Sequence, residues 1–168
     1  YDTATMQTAL AGECEVVPFA EGADVYVVNS CTVTDRADAE SRQLARRARR
    51  MNPGGRVILT GCFAQTSPQR ADLPEVDYVI GVGRLPDLLR AVHDQIPPDE
   101  GRVFISNLRK AETVSTLGAE SFAGQTRAFL KVQEGCDLFC TFCIVPMARG
   151  RSRSVPPRRV LAELERLA

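Results

Sequence analysis

No apolar run in the 168 residues approaches the roughly 20 needed to span a bilayer, so a helical membrane anchor within this stretch is excluded. Histidine is nearly absent. The one present, His93, lies in a predicted helix with no partner in view, and there is no Ser/His/Asp arrangement to support hydrolysis. Glycine-rich phosphate loops are missing as well, since Gly81-Val-Gly83 is a lone pair and far too little for a nucleotide cradle. The chain has no internal repeat and no low-complexity tract. Lysine is scarce, two against nineteen arginines, and the formal net charge is zero. The first residue is Tyr1 rather than Met, and the reading therefore expects a segment upstream.

What is present is an ordinary globular composition, 44% apolar and 25% charged. The charge is segregated along the chain. Arg42, Arg46, Arg47, Arg49, Arg50 and Arg56 crowd one stretch, and Arg149, Arg151, Arg153, Arg158 and Arg159 another. Acidic residues from Asp72 to Glu100 compensate them. Two readings stand side by side: solvated helix faces, or a field that guides a polyanion.

Apolar, β-branched runs at 24–29, 56–60, 76–80 and 103–105 read as buried parallel strands, with a brief strand at 14–17. Helices are expected over 2–10, about 35–50 and 85–95; in the second, Ala37, Leu44, Ala45 and Ala48 mark the apolar face, and Asn52-Pro53-Gly54-Gly55 stops it. Strands alternating with helices predict an α/β fold with a mainly parallel sheet over 1–107. Functional loops in such sheets gather at the carboxyl ends of the strands. Cys31 and Cys62 each lie just past a predicted strand end and can meet at one edge. Residues 108–126 read as a connector rich in small and polar residues. A strand at 128–133, a cysteine loop and a helix after Pro156-Pro157 then form one βα unit, so 127–168 is expected to begin a second domain.

Six cysteines are many for this length, and three fall within eight residues: Cys136, Cys140 and Cys143. One loop at that spacing can give three thiolates to a 4Fe–4S cube, which four would close. The fourth iron then stays open to chelate a substrate, and the amino and carboxylate groups of S-adenosylmethionine suit it. A reduced cluster so placed can break a carbon–sulfur bond, with the radical chemistry carried by the cofactor. The competing readings are a zinc site completed by Cys31 or Cys62, a disulfide with one odd thiol, and a non-enzymatic binding module stapled by metal.

The triplet resembles the motif of the radical S-adenosylmethionine superfamily. Val132-Gln-Glu-Gly-Cys136, Cys143-Ile-Val-Pro146, Arg149-Gly-Arg-Ser-Arg153, Asn29-Ser-Cys31-Thr-Val and Thr60-Gly-Cys62-Phe-Ala-Gln65 resemble its methylthiotransferase family. The stretch from Cys31 to Gln43 is most similar to the branch acting on threonylcarbamoyladenosine in tRNA. The resemblance implies an N-terminal α/β domain followed by the first βα unit of a radical S-adenosylmethionine (β/α) barrel. It implies two 4Fe–4S clusters in the intact enzyme, one on the triplet and one using Cys31 and Cys62. The family's third cysteine for that second cluster precedes a Tyr-Asp pair, so it is expected upstream of Tyr1-Asp2; Cys14 reads as a half-buried cysteine instead. Phe142 matches the position of an aromatic residue beside the bound adenine, with core packing as its alternative. The implied partners are tRNA, S-adenosylmethionine and an electron donor such as flavodoxin or ferredoxin, in the cytoplasm. The rival branch methylthiolates a ribosomal-protein aspartate. The expected barrel and RNA-binding domain extend past residue 168, so the stretch alone is not expected to catalyse the full reaction.

Overall fold

The computed structural model describes residues 1–114, 118–119, 122 and 126–167. Contacts divide the chain into two units, 17–108 and a second made of 1–16 with 109–168. Residues 115–117, 120–121 and 123–125 of the expected connector lie outside the described residues.

The first unit is an α/β layer. Strands β1 (Val25–Ser30), β2 (Arg56–Gly61), β3 (Tyr78–Ile80) and β4 (Val103–Phe104) pair in sequence order, and every pairing is parallel. β2 is central and buried at five of six positions, which is why it reads as an unbroken apolar run rather than an alternating one. Helix α2 (Asp35–Met51) crosses from β1 to β2. Thr34 caps it by accepting the Ala37 amide at 3.1 Å, with Asp35 and Asp38 in its first turn and Arg49 and Arg50 in its last, as the helix dipole favours. Tyr26, Val28, Ala45, Ala48, Val57, Leu59 and Phe63 form the core beneath it.

Two short helices, α3 (Cys62–Thr66) and α4 (Pro68–Ala71), follow β2 directly. Helix α5 (Leu85–Val92) starts with Pro86 in its first turn. It stops three residues before the expected end, because Asp94 takes a positive φ and Arg56 binds the terminal carbonyls of Ala91 and Val92, both at 3.1 Å. β3 begins at Tyr78 rather than 76, since the Val76 amide is spent on a turn to the Leu73 carbonyl. Leu44, expected on the buried face of α2, is 42% exposed; Asp38, Ser41, Ala45 and Ala48 are the buried set.

In the second unit α1 (Asp2–Leu10) is followed not by a strand at 14–17 but by a turn, in which the amides of Glu13 and Cys14 return to the Leu10 carbonyl. The strand expected at 128–133 is reduced to β5 (Gln133–Glu134), which pairs antiparallel with β6 (Arg153–Ser154). Between them lie the cysteine loop and helix α6 (Val145–Arg149); α7 (Pro157–Leu167) follows. Among the described residues no helix is long and apolar enough to cross a membrane.

Candidate functional site: two thiol-bearing regions

Ser30 and Gly61 are partners in the β1–β2 register, and each is the last residue of its strand. Cys31 and Cys62 come next, so both emerge at the carboxyl edge of the sheet from strands that run about 4.8 Å apart. Cys31 is exposed and Cys62 half-buried. The edge is held by local chemistry. The Ser30 hydroxyl donates to the Thr60 carbonyl and accepts the Ala64 amide at 3.4 Å, satisfying one orphan donor at the start of α3. Gly61 has φ 96°, and a Cβ there would lie 2.7 Å from Asn29 Oδ1 and 2.8 Å from the Ser30 amide. Only glycine lets the chain turn from β2 into a helix that begins at Cys62. Gln65 reaches along the same edge to donate to the Ser106 carbonyl at 2.9 Å, while its buried Oε1 lacks a hydrogen-bond partner among the described residues.

The second region is the loop from Gly135 to Ser152, closed at its neck by the β5–β6 pair. Gly135 and Gly150 both have positive φ, 79° and 78°. The Cys136 amide donates to the Gly150 carbonyl at 3.1 Å. A Cβ on Gly135 would meet the Arg151 backbone, with its carbonyl carbon at 2.6 Å. Within the loop Cys143 N–H closes a turn on the Cys140 carbonyl at 3.0 Å. Cys140 is exposed, and Cys136 and Cys143 are half-buried. Phe142 is 90% exposed in this chain. Phe139 sits at φ 48°, its ring 6.0 Å from the Arg109 guanidinium.

Beneath the neck lies a charge network. Glu134 accepts from Arg149 at 2.9 Å and Lys131 at 3.4 Å, and Asp2 binds the same two cations at 2.5 and 2.8 Å. Burial alone would raise the Asp2 pKa, but Arg149 and Lys131 outweigh it and hold the carboxyl below its ordinary value. Tyr1, partly buried and donating to Glu163 at 2.9 Å, is pushed up to about 12. Arg153 has a side chain only 7% exposed and donates to the carbonyls of Arg149 at 2.6 Å, Thr113 at 3.1 Å and Arg151 at 3.3 Å. Arg149 and Arg153 therefore brace the loop instead of facing a polyanion. Arg151, paired with Asp137 at 3.1 Å, is the outward one.

All six cysteines are thiols, none in a disulfide. Among the described residues no three His, Cys, Asp or Glu side chains converge closely enough to hold a metal ion. As a donor set the loop nonetheless suits an iron–sulfur cube, with three soft sulfurs on one exposed segment that both neck glycines allow to fold back. Cys14 belongs to the other contact unit from Cys31 and Cys62. The roles of Ser30, Gly61 and the neck glycines escaped the sequence reading, although Asn-Ser-Cys, Thr-Gly-Cys and Glu-Gly-Cys placed Ser30, Gly61 and Gly135 directly before a cysteine.

Fold and thiols together define an α/β protein with one pair of cysteines at a parallel sheet edge and three more on a glycine-gated loop. Residues 1–81 match the family described as Uncharacterized protein family UPF0004. Among curated proteins, the threonylcarbamoyladenosine tRNA methylthiotransferase MtaB of Bacillus subtilis (strain 168) is 44% identical over 89% of this chain and 33% of its own length. The enzyme of the same name from Aquifex aeolicus (strain VF5) is 42% identical over 92% of the chain and 38% of its own. The ribosomal protein uS12 methylthiotransferase RimO of Pseudomonas putida (strain F1) is 38% identical over 91% and 33%. The chain is thus similar to curated methylthiotransferases over about nine tenths of its length, and its first 81 residues match the UPF0004 family. It spans about a third of the length of the curated relatives it matches.

Proposed function

We propose that this chain is part of a radical S-adenosylmethionine enzyme that adds a methylthio group to threonylcarbamoyladenosine beside the anticodon of certain tRNAs. The observation that carries the reading is similarity: the tRNA enzymes are 44% and 42% identical to it and the uS12 enzyme 38%, over comparable shares of the chain. Residues 1–107 act as the N-terminal domain, 108–126 as its connector, and 127–168 as the first βα unit of the radical domain's barrel.

Cys136, Cys140 and Cys143 would hold a 4Fe–4S cluster with one open iron, and Cys31 and Cys62 would supply two ligands to a second. When bound, the first cluster supplies the electron that splits S-adenosylmethionine. The chain's own part is geometric. The Gly135–Gly150 neck folds the loop back on itself, Arg149 and Arg153 fix its base, and the exposed Phe142 ring offers a face on which an adenine can stack. The partners are tRNA and an electron donor of the flavodoxin or ferredoxin type, in the cytoplasm.

The experiment is product analysis. The intact protein, expressed in cells that lack the modification, should yield methylthio-threonylcarbamoyladenosine among the nucleosides of digested tRNA by mass spectrometry. Methylthiolation of ribosomal protein uS12 with unchanged tRNA nucleosides would assign the protein to the other branch instead.

A further inference from the structure

The carboxyl-terminal half of α2 concentrates charge of one sign. From Ser41 to Met51 it carries five arginines, Arg42, Arg46, Arg47, Arg49 and Arg50, and no acidic residue. Structure divides these five into two groups. Arg49 points inward: it donates to the carbonyls of Pro53 at 3.0 Å and Gly55 at 2.6 Å and pairs with Asp77 at 2.6 Å, closing the helix end. That one residue meets the helix's need for a cation at its C-terminus.

Arg42, Arg46 and Arg47 lie before the last turn, and Arg50 adds a second cation to it. Arg46 has only a long contact to Glu75, 3.7 Å. Arg42 and Arg47 lie on aromatic rings, Phe63 at 5.5 Å and Phe19 at 5.2 Å, which hold a guanidinium in place without neutralising it. Arg50 makes no ion pair or hydrogen bond among the described residues. Arg46, Arg47 and Arg50 line an open groove of about 600 Å³ with Glu40, Gln43 and Leu44, on the side of α2 away from the buried Ser41, Ala45 and Ala48. The half-exposed Leu44, misplaced in the core by periodicity alone, forms part of this groove.

We infer that this groove is a docking surface for the phosphodiester backbone of RNA. The inference rests on the tRNA reading above and extends it to a surface distinct from both thiol regions. Three chemical facts favour RNA as occupant. The surface is cationic while the chain as a whole is neutral, so the charge is local rather than general. All its cations are arginines, whose planar forks bond phosphate oxygens in pairs. One of them, Arg47, is pre-oriented on the Phe19 ring, which lowers the entropy lost when a phosphate is bound.

The test uses the intact protein and total tRNA, with dissociation constants measured from about 50 to 200 mM salt. Neutralising Arg47→Gln and Arg50→Gln together should flatten the salt dependence by about 1.5 log units per log unit of salt and weaken binding roughly tenfold at 0.15 M. Arg50→Gln alone, at a side chain with no ion pair or hydrogen bond among the described residues, should weaken binding with little change in melting temperature. Arg90→Gln, on α5 and already paired with Glu100, should leave affinity unchanged. Product formation at saturating tRNA should persist in every variant. Unchanged affinity and slope in the double variant, while the protein still methylthiolates tRNA, would overturn the docking surface alone. A wild-type protein that neither binds nor modifies tRNA would overturn the docking surface and the tRNA reading together.

Discussion

The Ser30 hydroxyl accepts the Ala64 amide across the gap between β1 and α3, so the residue before Cys31 caps the helix that begins with Cys62. A strand side chain thus serves as the helix cap that Gly61, lacking a side chain, cannot provide. Replacing Ser30 with Ala should cost about 1 kcal/mol of stability, the usual magnitude for a lost cap. Urea denaturation of the intact protein measures it. A midpoint equal to wild type would show that the hydroxyl does not carry the cap.

The neck of the cysteine loop makes a sharper demand. Gly135 combines a φ of 79° with the Arg151 backbone against its Cα, so Gly135→Ala must both adopt a disfavoured conformation and push the opposite strand away. We expect a loss of at least about 1–2 kcal/mol from the left-handed backbone alone and faster hydrogen exchange at the Cys136 amide. Full protection of that amide in the variant would contradict the geometry described.

Arginines in one short segment divide by burial. Arg153→Ala leaves the carbonyls of Thr113 and Arg149 without this donor in a partly buried setting, and a cost of roughly 1–3 kcal/mol is expected. Arg151→Ala removes one exposed pair and should cost no more than about 1 kcal/mol. Paired thermal melts decide it, and equal melting temperatures for the two variants would contradict the division.

Acid and alkali should loosen the same corner of the second unit by different groups. Asp2 has a lowered pKa in the folded state, so its contribution is present above the ordinary carboxylate range and is lost as pH falls through the folded value. Tyr1 has a raised one, so its contribution is intact below pH 10 and is lost as pH rises towards 12. Asp2→Asn should flatten the acid limb of a stability–pH profile, and Tyr1→Phe the alkaline limb. An unchanged acid limb in the first variant would remove the role given to Arg149 and Lys131.

Much of the sheet was legible because β2 is buried at five of six positions and reads as one apolar run, while in β1 the buried Tyr26, Val28 and Ser30 alternate with less buried neighbours. The same logic explains the failures. Residues 128–132 are just as apolar, but Phe129 and Val132 are exposed and find no ladder, so only Gln133 and Glu134 pair. Helices α3 and α6 span five residues each, too few for a 3.6-residue period to register. For the thiol regions, spacing announced Cys136, Cys140 and Cys143, and strand ends announced Cys31 and Cys62. The devices that shape those regions are backbone conformations at Gly61, Gly135 and Gly150, and a sequence shows a glycine there without its φ. Arginine roles were the least readable, since inward Arg49 and outward Arg50 are adjacent and chemically identical.

The proposal for the cysteine loop meets its most direct test in one spectrum: electron paramagnetic resonance of the reduced, anaerobically reconstituted intact protein before and after adding S-adenosylmethionine. The account predicts a cluster signal that S-adenosylmethionine perturbs in wild type and in a Cys31→Ala, Cys62→Ala double variant, and that disappears in Cys140→Ala. A Cys140→Ala protein that keeps the same signal and the same response to S-adenosylmethionine would contradict it.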